Sequence, residues 1–200
     1  FGVDAILDRF SQIEPVAIMF TNSYHYGGKF IDISEKNIEV MGRLESIEYK
    51  FLMNYPEMNV TTNNFDIDLE TIFSNKDLNK EISFEKNFFN DPMYILYSSG
   101  TTGKPKCIIH NTGGPLIQHM KEQQLHCDLK KNDKIFYFTT CGWMMWNWLI
   151  TALSSNASIL LYDGSPFFPE KDSLFKIAEE EKLDIFGVSA KYIDALRNFQ

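Results

Sequence analysis

Apolar residues recur along this chain in two rhythms. Short runs, among them Val16-Ala17-Ile18-Met19-Phe20 and the stretches 49–53, 93–98 and 107–110, read as strands. The same reading extends to 134–139, 158–162 and 184–189. Between them apolar positions return every three or four residues, as at Ile38, Met41, Leu44 and Ile47, which is the spacing of a helix with one apolar stripe. Helical stretches are predicted over 115–127, 143–154, 172–182 and 190–199. Strands alternating with helices predict an α/β fold of mostly parallel sheets with helices on both faces, where ligands sit at the carboxyl ends of the strands.

The pattern also divides the chain. Residues 1–55 read as helix, strand, turn, helix, strand, a βαβ unit of a first subdomain with the turn at Tyr26-Gly27-Gly28-Lys29. Asp32 with Glu35 gives its second helix a capping-box-like start. Residues 56–92 turn polar and rich in Asn and Asp, a connection in which only Leu69 to Phe73 suggests a short helix. From 93 to 200 the alternation resumes as an incomplete second α/β subdomain. The chain opens on Phe1, already inside an amphipathic helix, so both ends are expected to be cuts in a longer polypeptide.

Composition narrows the function classes. With 44% apolar and 14% aromatic residues the chain can bury a core. Its 27 acidic against 19 basic side chains leave a formal charge of −8, which argues against nucleic acid as a partner. An anionic ligand would have to be held by a local device. Cys107, Cys127 and Cys141 have neither the count nor the pairing of a disulfide framework or zinc site, and no metal-binding side-chain set is expected. Reduced thiols, and the lack of a leader or membrane-spanning run, give the expectation of a cytosolic protein without a membrane partner. His25, His119 and His126 read as solvated or packing residues, and only His110 lies near the loop described next.

That loop is Tyr94-Ile95-Leu96-Tyr97-Ser98-Ser99-Gly100-Thr101-Thr102-Gly103-Lys104-Pro105-Lys106. A strand, expected to be buried, runs into two glycines that clear space, hydroxyls that donate hydrogen bonds and lysines that bring charge, the ingredients of a phosphate cradle. It is not a P-loop of the G-x-x-x-x-G-K-[ST] type, because Pro105 follows Lys104 and a strand, Cys107-Ile108-Ile109, comes next instead of a helix. The plain alternative is a surface turn. The full ordered string resembles the phosphate-loop signature of the adenylate-forming superfamily, which includes acyl-CoA synthetases, luciferases and peptide-synthetase adenylation domains. Cys107 stands where many members have glycine.

The resemblance implies a reaction with ATP, Mg²⁺ and CoA: a carboxylate attacks the α-phosphate of ATP, pyrophosphate leaves, and the thiol of CoA takes the acyl group from the adenylate. Ser98, Ser99, Gly100, Thr101, Thr102, Gly103, Lys104 and Lys106 are then the nucleotide-binding candidates, with Thr101, Thr102 and Lys106 as the catalytic ones. Lys106 is expected to be the structurally anchored lysine and Lys104 the one nearer the loop tip. Mg²⁺ would be shared between the phosphates. Lys29 occupies the place of a basic turn that meets the nucleotide end of CoA in relatives, the alternative being an ordinary turn lysine.

A second string, Cys141-Gly142-Trp143-Met144-Met145-Trp146-Asn147-Trp148, is either core packing or an acyl and pantetheine wall. It resembles the Gly-Trp segment of short-chain acyl-CoA synthetases. Further matches lie at Phe1-Gly2-Val3, Leu7-Asp8-Arg9-Phe10, Gly113 to His119, Asp163-Gly164-Ser165-Pro166 and Ser189-Ala190-Lys191-Tyr192. Together they imply acetoacetate as the acid, Trp143 and Met144 as wall, and Asn147 as a donor to the ketone oxygen. Acetate, propionate or a binding module without turnover remain alternatives. The resemblance also places a Thr-Glu segment, a ribose-binding aspartate and a C-terminal lid lysine beyond Gln200, so these residues alone are expected to be inactive.

Overall fold

A computed structural model describes residues 1–54, 67–69, 74, 81, 83–98 and 103–198. The chain divides into two compact units, Phe1–Glu85 with Tyr97–Cys107, and Lys86–Leu96 with Ile108–Gln200. The turn of the Gly/Thr/Lys loop thus belongs with the first unit, whereas the sequence grouped it with the strands that follow. Much of the polar connection, including all but Leu69 of its expected short helix, lies outside the described residues.

In the first unit, strand β1 (Ala17–Thr21) is followed by a hairpin of β2 (Ser23–Tyr26) and β3 (Lys29–Asp32). Gly27 and Gly28 take φ of 58° and 75° at its tip, a left-handed turn that side chains resist. Helix α2 (Ser34–Arg43) then leads to β4 (Tyr49–Met53), which pairs in parallel with β1, Ile18 opposite Lys50 and Phe20 opposite Leu52. A helix thus links two parallel strands, and where the sequence was read as a turn between them the chain forms the β2–β3 hairpin. A strand not foreseen, β5 (Ile67–Asp68), extends the sheet in parallel on the far side of β4. The foreseen cap is half realised. Asp32 accepts from the Ser34 N–H at 2.8 Å, and that bond holds its carboxyl below the usual carboxylate range, while Ile33 at the cap position offers no side-chain oxygen.

Helix α1 (Val3–Phe10) and α2 lie on one face of this sheet. Val3, Ile6, Leu7 and Phe10, spaced along one stripe, pack with Val40 and Leu44 against Ile18 and Phe20. The residue between the last two, Met19, points the other way and is exposed, as are Val16, Tyr49 and Met53. The run 16–20 is thus buried on one side only.

In the second unit, β8 (Lys134–Tyr137) is the centre of a parallel sheet ordered β10-β8-β9, with β9 at Ser158–Leu160 and β10 at Ile185–Gly187. Its alternating side chains serve two cores. Ile135 packs with Leu129, Trp148, Leu149, Ala152 and Ala157, bringing helix α4 (Met144–Thr151) onto one face. Phe136 packs with Leu174 of α5 (Ser173–Glu180) and Tyr192 of α6 (Ala190–Arg197) on the other. Helices therefore cover both faces, as the sequence predicted. Gly187 leaves room for the Tyr137 ring, since a Cβ there would lie 2.3 Å from it. Helix α3 (Gly113–Lys121) runs on into a π-helical turn, Glu122–His126.

Strands β6 (Pro92–Tyr97) and β7 (Cys107–Asn111) form a two-stranded sheet joined by the loop. The first is not the buried strand the sequence predicted, since Met93 and Ile95 are exposed, and so are Ile108 and Ile109 on its partner. No helix among the described residues is long and apolar enough to cross a membrane.

Candidate functional site

The loop closes at a neck made by two of its predicted residues. The Ser98 N–H donates to the Lys106 carbonyl at 3.0 Å, and the Lys106 N–H donates to Ser98 Oγ at 3.1 Å. Ser98 Oγ thus serves as an acceptor at the neck and keeps its own proton to donate elsewhere. Lys106 is fixed through its backbone while its side chain stays exposed, the anchored position the sequence gave it. Lys104, further toward the tip, sets its Nζ 3.1 Å from the Asp8 carboxylate, and Gly103 beside it is open to solvent. Ser99, Gly100, Thr101 and Thr102 lie outside the described residues.

Helix α1 holds both limbs of the loop. Tyr97 Oη donates to the Arg9 carbonyl at 3.1 Å, and its burial raises the phenol above the ordinary tyrosine range. Gln12, just past the helix, donates from Nε2 to the Pro105 carbonyl at 2.8 Å, and its Oε1 lies 3.7 Å from Cys107 Sγ. Lys29, the other cation singled out in sequence, opens β3 and is exposed beside the Gly27-Gly28 turn.

The Trp/Met run lies in the second unit and is divided by the helix it forms. Trp143 at the start of α4 and Met144 in its first turn are exposed, at 62% and 45%. Met145, Trp148 and Leu149 belong to the core against Ile135. The two readings of this string thus apply to different residues of it, with the wall candidates being those the core leaves out.

Asn147 is buried, and its Nδ2 meets no acceptor among the described residues. A buried donor without a partner is costly and marks a place where an acceptor would bind favourably. The backbone around it is fixed. Thr151 Oγ1 donates to the Asn147 carbonyl at 2.8 Å, and His119 Nδ1 lies 2.9 Å from the same Oγ1. Thr151 has one proton and has given it to Asn147, so His119 must carry its proton on Nδ1. Gln123, in the π-helical turn, donates to the Trp148 carbonyl at 2.6 Å, while its Oε1 meets no donor among the described residues.

Of the solvated and packing roles open to His119 the structure selects packing: it is 5% exposed, and burial holds its imidazole below the ordinary histidine range. Spacing gave little signal for this, since the apolar Leu116 and Ile117 of the same helix are exposed. His110, next to last in β7, has a buried Nδ1 with no hydrogen-bond partner among the described residues. Among the described residues no three His, Cys, Asp or Glu side chains converge as a metal site.

Comparison with known proteins follows the same outline. Residues 11–200 match the family described as AMP-binding enzyme. An acetoacetyl-coenzyme A synthetase of Rhizobium meliloti is 43% identical over 98% of this chain and 30% of its own length. Acetoacetyl-CoA synthetase of Gallus gallus is 41% identical, again over 98% of this chain and 30% of the relative. The solved structure of an acetoacetyl-CoA synthetase from Streptomyces lividans superposes with a TM-score of 0.91 at 39% identity, covering 99% of this chain and 30% of that one. The chain therefore spans about 30% of the length of the relatives it matches. By a match that runs from residue 11 to residue 200, the chain belongs to the AMP-binding enzymes.

Proposed function

We propose that the protein to which this chain belongs ligates acetoacetate to CoA at the expense of ATP, through an acetoacetyl-adenylate, giving acetoacetyl-CoA, AMP and pyrophosphate. The observation that carries this reading is the near-complete alignment of the chain, at 33–43% identity, with relatives bearing the name acetoacetyl-CoA synthetase.

The chemistry asks for stabilisation of the charge that grows on pyrophosphate as it leaves. Lys106, whose Nζ is exposed beside a backbone locked to Ser98, is the cation for that charge. Lys104 joins it by exchanging Asp8 for a phosphate, a favourable exchange because one carboxylate is a weaker partner than a triphosphate. The Ser98 proton left free at the neck is a further donor, and Ser99, Gly100, Thr101, Thr102 and Gly103 supply hydroxyls and N–H groups by their sequence. A Mg²⁺ ion, when bound with the nucleotide, would supply further charge neutralisation at the phosphates beside Lys104 and Lys106.

Trp143 and Met144, the apolar residues α4 leaves outside its core, form the acyl wall, and Asn147 Nδ2 donates to the ketone oxygen of acetoacetate. Lys29 contacts a phosphate of CoA. Small molecules are the partners, and reduced Cys107, Cys127 and Cys141 fit a cytosolic setting.

The test is pyrophosphate exchange into ATP by the full-length protein with acetoacetate, butyrate, acetate and propionate as acids. Acetoacetate should give the highest kcat/KM. Asn147→Ala should lower acetoacetate use relative to butyrate by about tenfold, the effect of one lost hydrogen bond to a ketone. Preference for acetate or propionate would make this another short-chain synthetase, and no exchange with any acid would remove the ligase reading.

A further inference from the structure

Beyond the exchange of Asp8 for a phosphate, the segment Leu7-Asp8-Arg9-Phe10 and Gln12 just behind it have no role in the chemistry above, yet their contacts tie both limbs of the loop to the body of its unit. Tyr97 on the entering limb is held by the Arg9 carbonyl, and the Arg9 guanidinium lies 6.0 Å from the Tyr97 ring centroid. On the leaving limb, Lys104 meets Asp8, Pro105 meets Gln12, and Cys107 meets Gln12.

Gln12 has the most determined geometry of these. Its two N–H groups go to the Asp8 carbonyl at 2.6 Å and the Pro105 carbonyl at 2.8 Å, and its Oε1 faces the Cys107 thiol. Turning the amide over would set its oxygen against two carbonyls, so one orientation alone satisfies the site. Pro105 has no N–H, so its carbonyl is its only backbone hydrogen-bonding group, and Gln12 takes it. That bond lies between Lys104 and Lys106, where a small shift of the chain would move both cations.

We infer that Gln12 is a positioning residue of the adenylation reaction: it clasps the leaving limb of the loop onto α1 and thereby sets where Lys104 and Lys106 meet the triphosphate. The inference rests on the ligase reading above. The clasp lies away from the acyl wall residues in sequence and acts only on the nucleotide side. Its loss therefore weakens the use of ATP and leaves the use of the acid unchanged.

The experiment compares Gln12→Met, which keeps the length and neutrality of the side chain but can neither donate nor accept as an amide does, with wild type and with Gln12→Ala in the full-length enzyme. Pyrophosphate exchange is measured at varied ATP and varied acetoacetate, with thermal unfolding alongside. The expected result is a three- to tenfold fall in kcat/KM for ATP in both variants, with the KM for acetoacetate within twofold and Tm unchanged, the size expected for one neutral hydrogen bond. Equal ATP dependence in Gln12→Met and wild type overturns the inference while leaving the ligase reading intact. A fall in kcat and Tm together, with KM for ATP unmoved, assigns Gln12 to folding and overturns it equally. A wild-type enzyme that exchanges no pyrophosphate overturns the ligase reading and this inference with it.

Discussion

The contacts that hold the loop to α1 and those of the α3–α4 seam both rely on polar side chains, and they differ in access to water. At the loop, Asp8 and Lys104 form an ion pair with side chains 39% and 71% exposed, and Gln12 is exposed as well. In the seam, His119 and Gln123 are 5% and 0% exposed and reach the Thr151 hydroxyl and the Trp148 carbonyl. Exposed contacts of this kind contribute little to stability, because water replaces them when they break. Buried ones contribute mainly through the penalty of leaving a partner stranded. The first region is suited to contacts that a charged ligand exchanges for its own, the second to holding one helix in a fixed register on another.

The comparison breaks if stability and nucleotide use do not separate between the two regions. The largest effect on stability is expected from Leu149→Ala, which opens a cavity in the core behind the seam. Urea unfolding of the full-length protein should show a loss of about 2–5 kcal/mol, with the KM for ATP unmoved in whatever folds. Lys106→Ala should do the reverse, leaving the unfolding midpoint in place and slowing pyrophosphate exchange by about a hundredfold, the scale of losing one preorganised partner of a developing charge. An unfolding midpoint that moves with Lys106 would merge the two regions into one.

Two smaller effects sharpen it. Burial depresses the His119 pKa, so between the ordinary and depressed values the unfolded chain binds a proton that the folded chain refuses. The contribution is full above the unfolded value of about 6.5 and is lost as pH falls through the folded one. Glu122 opposes this shift and His110 adds to it. Replacing His119 with Asn, which keeps a donor for Thr151 without titrating, should flatten the fall in Tm between pH 7 and pH 5; an unchanged slope would place the titrating group elsewhere. Smallest of all, Asp8→Asn removes an exposed ion pair and should cost at most about 1 kcal/mol, less at high salt, in the same urea titration.

Much of this was legible beforehand. The alternation of strands and helices, the parallel β1–β4 pairing and the two-sided cover of β8 follow from local periodicity, because each strand or helix shows its buried face in its own spacing. The loop was legible for a different reason, its order of glycines, hydroxyls and lysines. Exposure was less so. Met93 and Ile95 stand on a strand read as buried and are exposed, His119 read as solvated or packing and packs, and β5 was hidden in a polar stretch.

What the sequence determined by itself is therefore the class of fold and most of its helices and strands in order. Only the tertiary structure decided which apolar face finds a cover, which half of the Trp/Met run enters the core, and that the loop is gripped by a helix some ninety residues earlier, as in the 93-residue span from Gln12 to Pro105. The physical reason is one of range. Periodicity and motif order are properties of neighbours along the chain, whereas burial and hydrogen-bond partnership depend on distant segments that the fold brings together.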